Sequence, residues 1–102
     1  MELINLKNCN VKEIKNYLKE GWKIIDVREN DEIKEISLNV PFIHIPLQKV
    51  LMGAYNLEKN DNYLVICRSG VRSQKACYAL QQHGFKNVIN VSGGILEYQS
   101  LK

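Results

Sequence analysis

Cys67, Arg68, Ser69, Gly70, Val71, Arg72 and Ser73 are the residues of this chain best equipped for covalent chemistry. The cysteine stands between an apolar run, residues 63–66, and a helix-like run, residues 74–83. It therefore sits where a buried strand stops and a helix starts. Helix N-termini carry unpaired backbone N–H groups and a partial positive charge. Both hold anions and make a nearby thiol more acidic. Arg68 and Arg72 add full positive charges. Ser69-Gly70 lets the backbone curl, because glycine accepts positive φ, and a curled loop turns successive N–H groups inward as an anion nest. A free thiol titrates near ~8.5, and such surroundings lower that by one to several units. The pattern predicts Cys67 as a thiolate nucleophile cradled by the backbone of residues 68–72. No general base is needed, since the thiolate is already the reactive form.

The other polar residues in the chain offer less. Cys77 falls mid-helix beside Ala76 and Ala79 and reads as a small core residue. Cys9 precedes a helix cap and has no evident role. Glu29 and Glu32 read as solvated loop charges, His44 as structural, and His83 as a helix-end residue that suits the dipole. Asp26 is the exception, a charge near the end of a buried strand, which needs a partner. Arg72 either lines the pocket or turns inward to Asp26, and the inward pair is the favoured expectation.

Alternating strand-like and helix-like runs must position these residues. Leu3 and Ile4 seed a first strand. Asn10 and Glu13 form the two halves of a capping box, followed by Val11, Ile14, Tyr17 and Leu18 at helical spacing and by Gly21 as a stop. Residues 22–27 form a buried strand, and Asn30 caps a short helix over residues 31–36. Residues 42–45 form a third strand ended by Pro46, and residues 48–55 a short helix. The fourth strand, residues 63–66, leads through the cysteine loop into a helix over residues 73–83 that Gly84 closes. Residues 88–91 form the fifth strand; Ser92-Gly93-Gly94 is a turn lying close to the cysteine loop, and residues 95–98 begin a closing helix. The alternation predicts a single α/β domain over residues 1–102, with a mostly parallel five-stranded sheet and helices on both faces. In such sheets ligands bind beyond the carboxyl ends of the strands, where Cys67 stands.

Composition narrows the function. The chain has 102 residues, enough for one modest core. A formal charge of +3 from scattered residues does not point to nucleic acid. No stretch approaches the ~20 apolar residues of a membrane helix, and the first eight residues lack a signal-peptide pattern. Three cysteines without a C-x-x-C pair, and two histidines, predict neither disulfides nor a metal site, and no cofactor is expected. Reduced thiols in the cytoplasm are the expectation.

Residues 67–73 resemble the active-site loop of rhodanese-family sulfurtransferases. Ile25-Asp26-Val27-Arg28-Glu29 resembles the family's Asp-Val-Arg segment, and Ile43-His44-Ile45-Pro46-Leu47 its apolar-Pro segment. Gly84-Phe85-Lys86-Asn87-Val88 and Gly93-Gly94-Ile95 resemble its C-terminal marks. The resemblance implies that Cys67 carries a sulfane sulfur as a persulfide. The donor would be thiosulfate or a protein persulfide. The acceptor would be a thiol, cyanide or a small sulfur-carrier protein. Arg68 would face solvent and attract anionic donors, while Arg68, Ser69, Gly70, Val71 and Arg72 form the binding loop and Asp26 supports it. Phosphatases and arsenate reductases of this architecture are the rival enzymes, but they carry five residues between Cys and Arg, whereas four lie between Cys67 and Arg72 here. A regulatory binding module without turnover is the rival of another kind, and inactive relatives usually lack the cysteine. Two departures stand out. Residues 37–42 lack the family's usual Gly-His, which predicts an altered loop at the pocket rim. Tyr98 stands near the place of the aromatic that usually follows the Gly-Gly turn.

Overall fold

The computed structural model describes residues 6–101. Its order of elements is β1 (Lys7–Cys9), a 3-10 turn (Val11–Glu13), α1 (Ile14–Lys19), β2 (Lys23–Asp26), α2 (Asn30–Glu35), β3 (Ile43–His44), α3 (Leu47–Leu51), β4 (Asn62–Ile66), α4 (Val71–Gln82), β5 (Asn87–Val91) and α5 (Gly94–Gln99). The five strands form one sheet in the order β1-β5-β4-β2-β3. Every pairing is parallel, so the sheet is wholly rather than mostly parallel. The expectation of a strand at Leu3 and Ile4 lies outside the described residues; the first described strand is Lys7–Cys9.

Alternation along the central strands divides the core into two layers. Ile25, Tyr63, Val65 and Val88 pack with Val50 of α3 and with Ala76, Cys77 and Leu80 of α4. Ile24, Leu64, Ile66, Ile89 and Val91 pack with Ile14 of α1 and Ile95 of α5. The sheet is thus covered on both faces, which is why its strands read as nearly continuous apolar runs. No helix of the described residues is long and apolar enough to cross a membrane.

Local chemistry explains the ends of the elements. Asn10 accepts from the Lys12 N–H at 2.9 Å, and the Glu13 carboxylate accepts the Asn10 N–H at 3.0 Å, so the expected capping box forms. The residues it caps begin as a 3-10 turn before α1. Glu29, not Asn30, caps α2, and its N–H reaches the Glu32 carboxylate at 2.9 Å. Helix α4 starts at Val71, two residues earlier than its apolar spacing indicates. Gly70 precedes it with φ +100°, a conformation costly for any residue with a Cβ.

The strand order reverses between β2 and β4. After β2 the chain proceeds outward to β3, then returns to place β4 on the other side of β2. Beyond the carboxyl ends of these two strands lies the crevice where open α/β sheets bind ligands. Asp26 ends β2 there, and it does not pair with Arg72 as expected. It takes Arg28 instead: Nε and Nη2 reach its carboxylate at 3.1 and 2.9 Å, and the Arg28 N–H reaches Oδ1 at 3.0 Å. Two residues of separation let the carboxylate bind both the backbone and the guanidinium of the same turn, which no residue on a distant helix can do. Both partners are buried, with 0% and 2% of their surface exposed. The Arg28 carbonyl in turn accepts from His44 Nε2 at 2.6 Å, so His44 is structural, as expected.

Helix α5 closes the crevice from the other side. Its Ile95 and Leu96 N–H groups donate to the Cys67 and Arg68 carbonyls at 2.9 and 3.0 Å. A Cβ on Gly94 would stand 2.4 Å from the Cys67 oxygen and 2.5 Å from the Arg68 oxygen. The Gly93-Gly94 turn therefore does lie against the cysteine loop.

Gly94→Ala is expected to lower stability by about 2–4 kcal/mol in urea titration, because backbone must move on both sides of the contact. Asp26→Ala, which leaves Arg28 charged and buried, is expected to cost about 3–5 kcal/mol in the same measurement.

Candidate active site

The sulfur of Cys67 lies at the junction of β4 and α4 with 1% of the residue exposed. The Gly70 and Ser73 N–H groups donate to it at 3.2 and 3.3 Å, and the Ser73 hydroxyl lies 3.3 Å away. Burial alone raises the thiol pKa, but the N–H groups of Ser73, Gly70 and Ser69, joined by the Ser73 hydroxyl when it turns to the sulfur, outweigh it, leaving the pKa below the ordinary value. Of the residues 68–72 expected to cradle the sulfur, Ser69 and Gly70 turn their N–H groups to it, and Ser73, beyond that range, adds a third. The other thiols behave oppositely. Burial pushes Cys77 up to about 12 and Cys9 to about 11.

Arg68 is exposed and makes no ion pair among the described residues, in line with its expected place at the solvent face. Val71 is also exposed, at 60%. Arg72 neither turns inward nor faces the loop unpaired. Its Nη1 and Nη2 bind the two oxygens of Glu32 at 2.7 and 2.8 Å. This fork holds the Glu32 carboxyl down at about 2, well below the usual carboxylate range. Glu32 is thus no solvated loop charge, and Glu29 is engaged in capping α2.

A cavity of about 190 Å³ opens beside the loop, lined by Arg28, Glu32, Glu35, Ile36, Arg68, Ile95, Leu96 and Gln99. Cys67 does not itself line it; the adjacent Arg68 does. The altered segment, residues 37–42, stays off this rim. Leu38 is buried in the core, and Asn39 accepts a hydrogen bond from the Tyr98 hydroxyl, so Tyr98 anchors that segment rather than bordering the cavity. Among the described residues no group of three or more His, Cys, Asp or Glu is arranged to hold a metal ion.

Two residues of the site escape notice in the sequence. Ser73 belongs to the loop motif, yet nothing marks its hydroxyl as facing the sulfur until the helix is seen to start at Val71. Asn90 lies on β5, where its carboxamide meets Ser73, Gly70 and Asn8. Its signal was available: a carboxamide inside the apolar run Val88-Ile89-Asn90-Val91 needs buried partners.

Comparison with known proteins agrees with this geometry. A protein of Bacillus subtilis (strain 168) named as a sulfurtransferase, YtwF, is 35% identical over 99 residues, covering 97% of this chain and 93% of that protein. Another from the same organism, YrkF, named as a sulfur carrier, is 40% identical over 80 residues, covering 78% of this chain. The match spans 42% of YrkF's length. Among solved structures, the rhodanese-related protein of Thermoplasma volcanium superposes with a TM-score of 0.81 at 31% identity, covering 92% of this chain and 91% of that one. Residues 10–101 match the rhodanese-like domain family, and the chain belongs to it.

Proposed function

We propose that this chain is a sulfurtransferase that carries sulfane sulfur as a persulfide on Cys67. The observation that carries the reading is a buried sulfur receiving the N–H groups of Gly70 and Ser73 at the start of a twelve-residue helix. Those donors favour the thiolate and cost no rearrangement during reaction.

Two displacements complete the cycle. The Cys67 thiolate attacks the sulfane sulfur of a donor such as thiosulfate. The donor's S–S bond breaks, and sulfite departs with the electron pair. Cys67 now bears an outer sulfur with one negative charge. A small thiolate, cyanide, or a cysteine thiolate of a small sulfur-carrier protein then attacks that outer sulfur and bonds to it, and the Cys67 thiolate leaves. A protein persulfide can replace thiosulfate as donor by the same displacement. Arg68 draws the anionic donor to the mouth. Ser69, Gly70 and Val71 form the loop; Asp26 holds Arg28, which donates to the Glu32 carbonyl, and the Glu32 carboxylate binds Arg72 at the loop's end.

The phosphatase reading is less well supported, because Arg72 is held by Glu32 and the loop is one residue short of the phosphate-binding length. All three cysteines are free thiols, which suits the reducing cytoplasm as the place of work.

Mixing the protein with thiosulfate is expected to add the mass of one sulfur atom, read by intact mass spectrometry, and Cys67→Ser is expected to add none. A wild-type protein that gains no sulfur, or equal gain by the variant, would overturn the assignment. Iodoacetamide near neutral pH is expected to label Cys67 well before Cys9 or Cys77, read by peptide mass. The thiolate fraction of Cys67 grows as pH rises through its lowered pKa, whereas the other two remain protonated until about 11 and about 12.

A further inference from the structure

Asn90 is 3% exposed on a strand whose neighbouring residues, Ile89 and Val91, are apolar and buried. Its Nδ2 donates to the Gly70 carbonyl at 3.3 Å and to Asn8 Oδ1 at 2.9 Å. A peptide carbonyl can only accept, so the amide group must face Gly70, and the orientation of the carboxamide follows. Its Oδ1 therefore faces the Ser73 hydroxyl, 2.5 Å away. Two oxygens that close share a proton, and the amide oxygen has none to give, so Ser73 is the donor.

The Ser73 oxygen is also 3.3 Å from the Cys67 sulfur. A hydroxyl has one proton. While Asn90 holds it, the sulfur meets the oxygen's lone pairs, which accept from S–H and repel S⁻. When the hydroxyl turns to the sulfur, the buried Asn90 oxygen loses its donor. The Gly70 and Ser73 N–H groups favour the thiolate in either arrangement.

We propose that Asn90 is a positioning residue that competes with the Cys67 thiolate for the single proton of Ser73. The proposal rests on Cys67 being the reactive thiolate. Asn90 keeps that thiolate from being stabilised as far as the loop would otherwise take it, and an over-stabilised thiolate is a weaker nucleophile. Once an outer sulfur is attached, the negative charge moves outward, and the Ser73 proton can stay with Asn90 at less cost to the anion. The competition therefore disfavours the empty thiolate more than the loaded persulfide. Asn90→Ala leaves in place the other ionisable groups on the elements around the loop: Arg68 in the loop, Arg72 and Cys77 on α4, Glu32 on α2, Asp26 with Arg28 at the end of β2, Lys7 and Cys9 on β1, and Glu97 on α5. Strand β5 carries no ionisable side chain.

The test is the pH dependence of Cys67 alkylation by iodoacetamide on the full chain, followed by mass. Asn90→Ala is expected to move the midpoint down by about one pH unit, because the freed hydroxyl then donates to the thiolate. The same change in a Ser73→Ala background is expected to move it by less than about 0.3 units, since no proton remains to contest. An unchanged or raised midpoint in Asn90→Ala, or an equal shift in both backgrounds, would overturn the proposal; the equal shift would mean that Asn90 acts through the Gly70 backbone. If Asn90→Ala does not fold, Ser73→Ala alone decides, with Asn90 still bonded to Gly70 and Asn8. Its midpoint should stay within about 0.3 units of wild type or fall, and a rise of about one unit would place the proton on the sulfur and refute the competition. Alkylation does not depend on sulfur transfer. A wild type that takes no sulfur from thiosulfate defeats the proposed function, and the midpoints still judge Asn90.

Discussion

A loop can aim its N–H groups at one sulfur only if its carbonyls are satisfied elsewhere, because curling the backbone turns donors inward and acceptors outward. The loop after Cys67 meets this demand from two directions. The first N–H groups of α5 take the Cys67 and Arg68 carbonyls, and the Asn90 amide takes the Gly70 carbonyl. Helix starts have unpaired N–H groups by construction, so α5 supplies them without disturbing its own ladder. The glycine at its first position leaves no Cβ between the two backbones. The reactive sulfur thus depends on a contact between segments separated by the whole of α4 and β5.

The charges at the site follow a similar division between chemistry and scaffold. Arg28 is consumed by Asp26 inside the protein, and Arg72 by Glu32 at its edge. Both pairs tie the ends of β2 and α4 to the short helix α2 or the turn that leads into it. Arg68 keeps its charge for the solvent side. Of the two arginines that follow the cysteine, one is therefore exposed and one is tied into the frame.

The fold was legible because the apolar runs are clean. Ile24-Ile25, Leu64-Val65-Ile66 and Val88-Ile89 are each bounded by polar or turn residues, and each became a strand. The first strand was not legible, since Lys7-Asn8-Cys9 carries one buried side chain out of three. Cys67 was legible from its place between a strand and a helix. The partner of Asp26 was not, because a carboxylate's need for a cation is evident in sequence but the choice among Arg28, Arg68 and Arg72 is geometric. Asx-type bonding at a separation of two residues was the local clue. The partners of Glu32 and Asn90 were missed for the same reason: they lie 40 positions away for Glu32, and 17, 20 and 82 for Asn90. The family resemblance added the reaction, and spacing alone would have left a general anion cradle.

The two inert thiols have a consequence of their own. Cys9 and Cys77 are buried and held protonated, so neither is a ready attacker at neutral pH. Among the described residues, the proposed nucleophile therefore has no ready thiol to act as a resolving partner. On that reading, a persulfide on Cys67 would not discharge into an internal disulfide, and a sulfenic acid formed there by peroxide would have no neighbour to rescue it. Both would wait for a nucleophile from outside. If the proposed chemistry holds, arrival of that second molecule, rather than any redox state of the protein, would set how long the cargo is held.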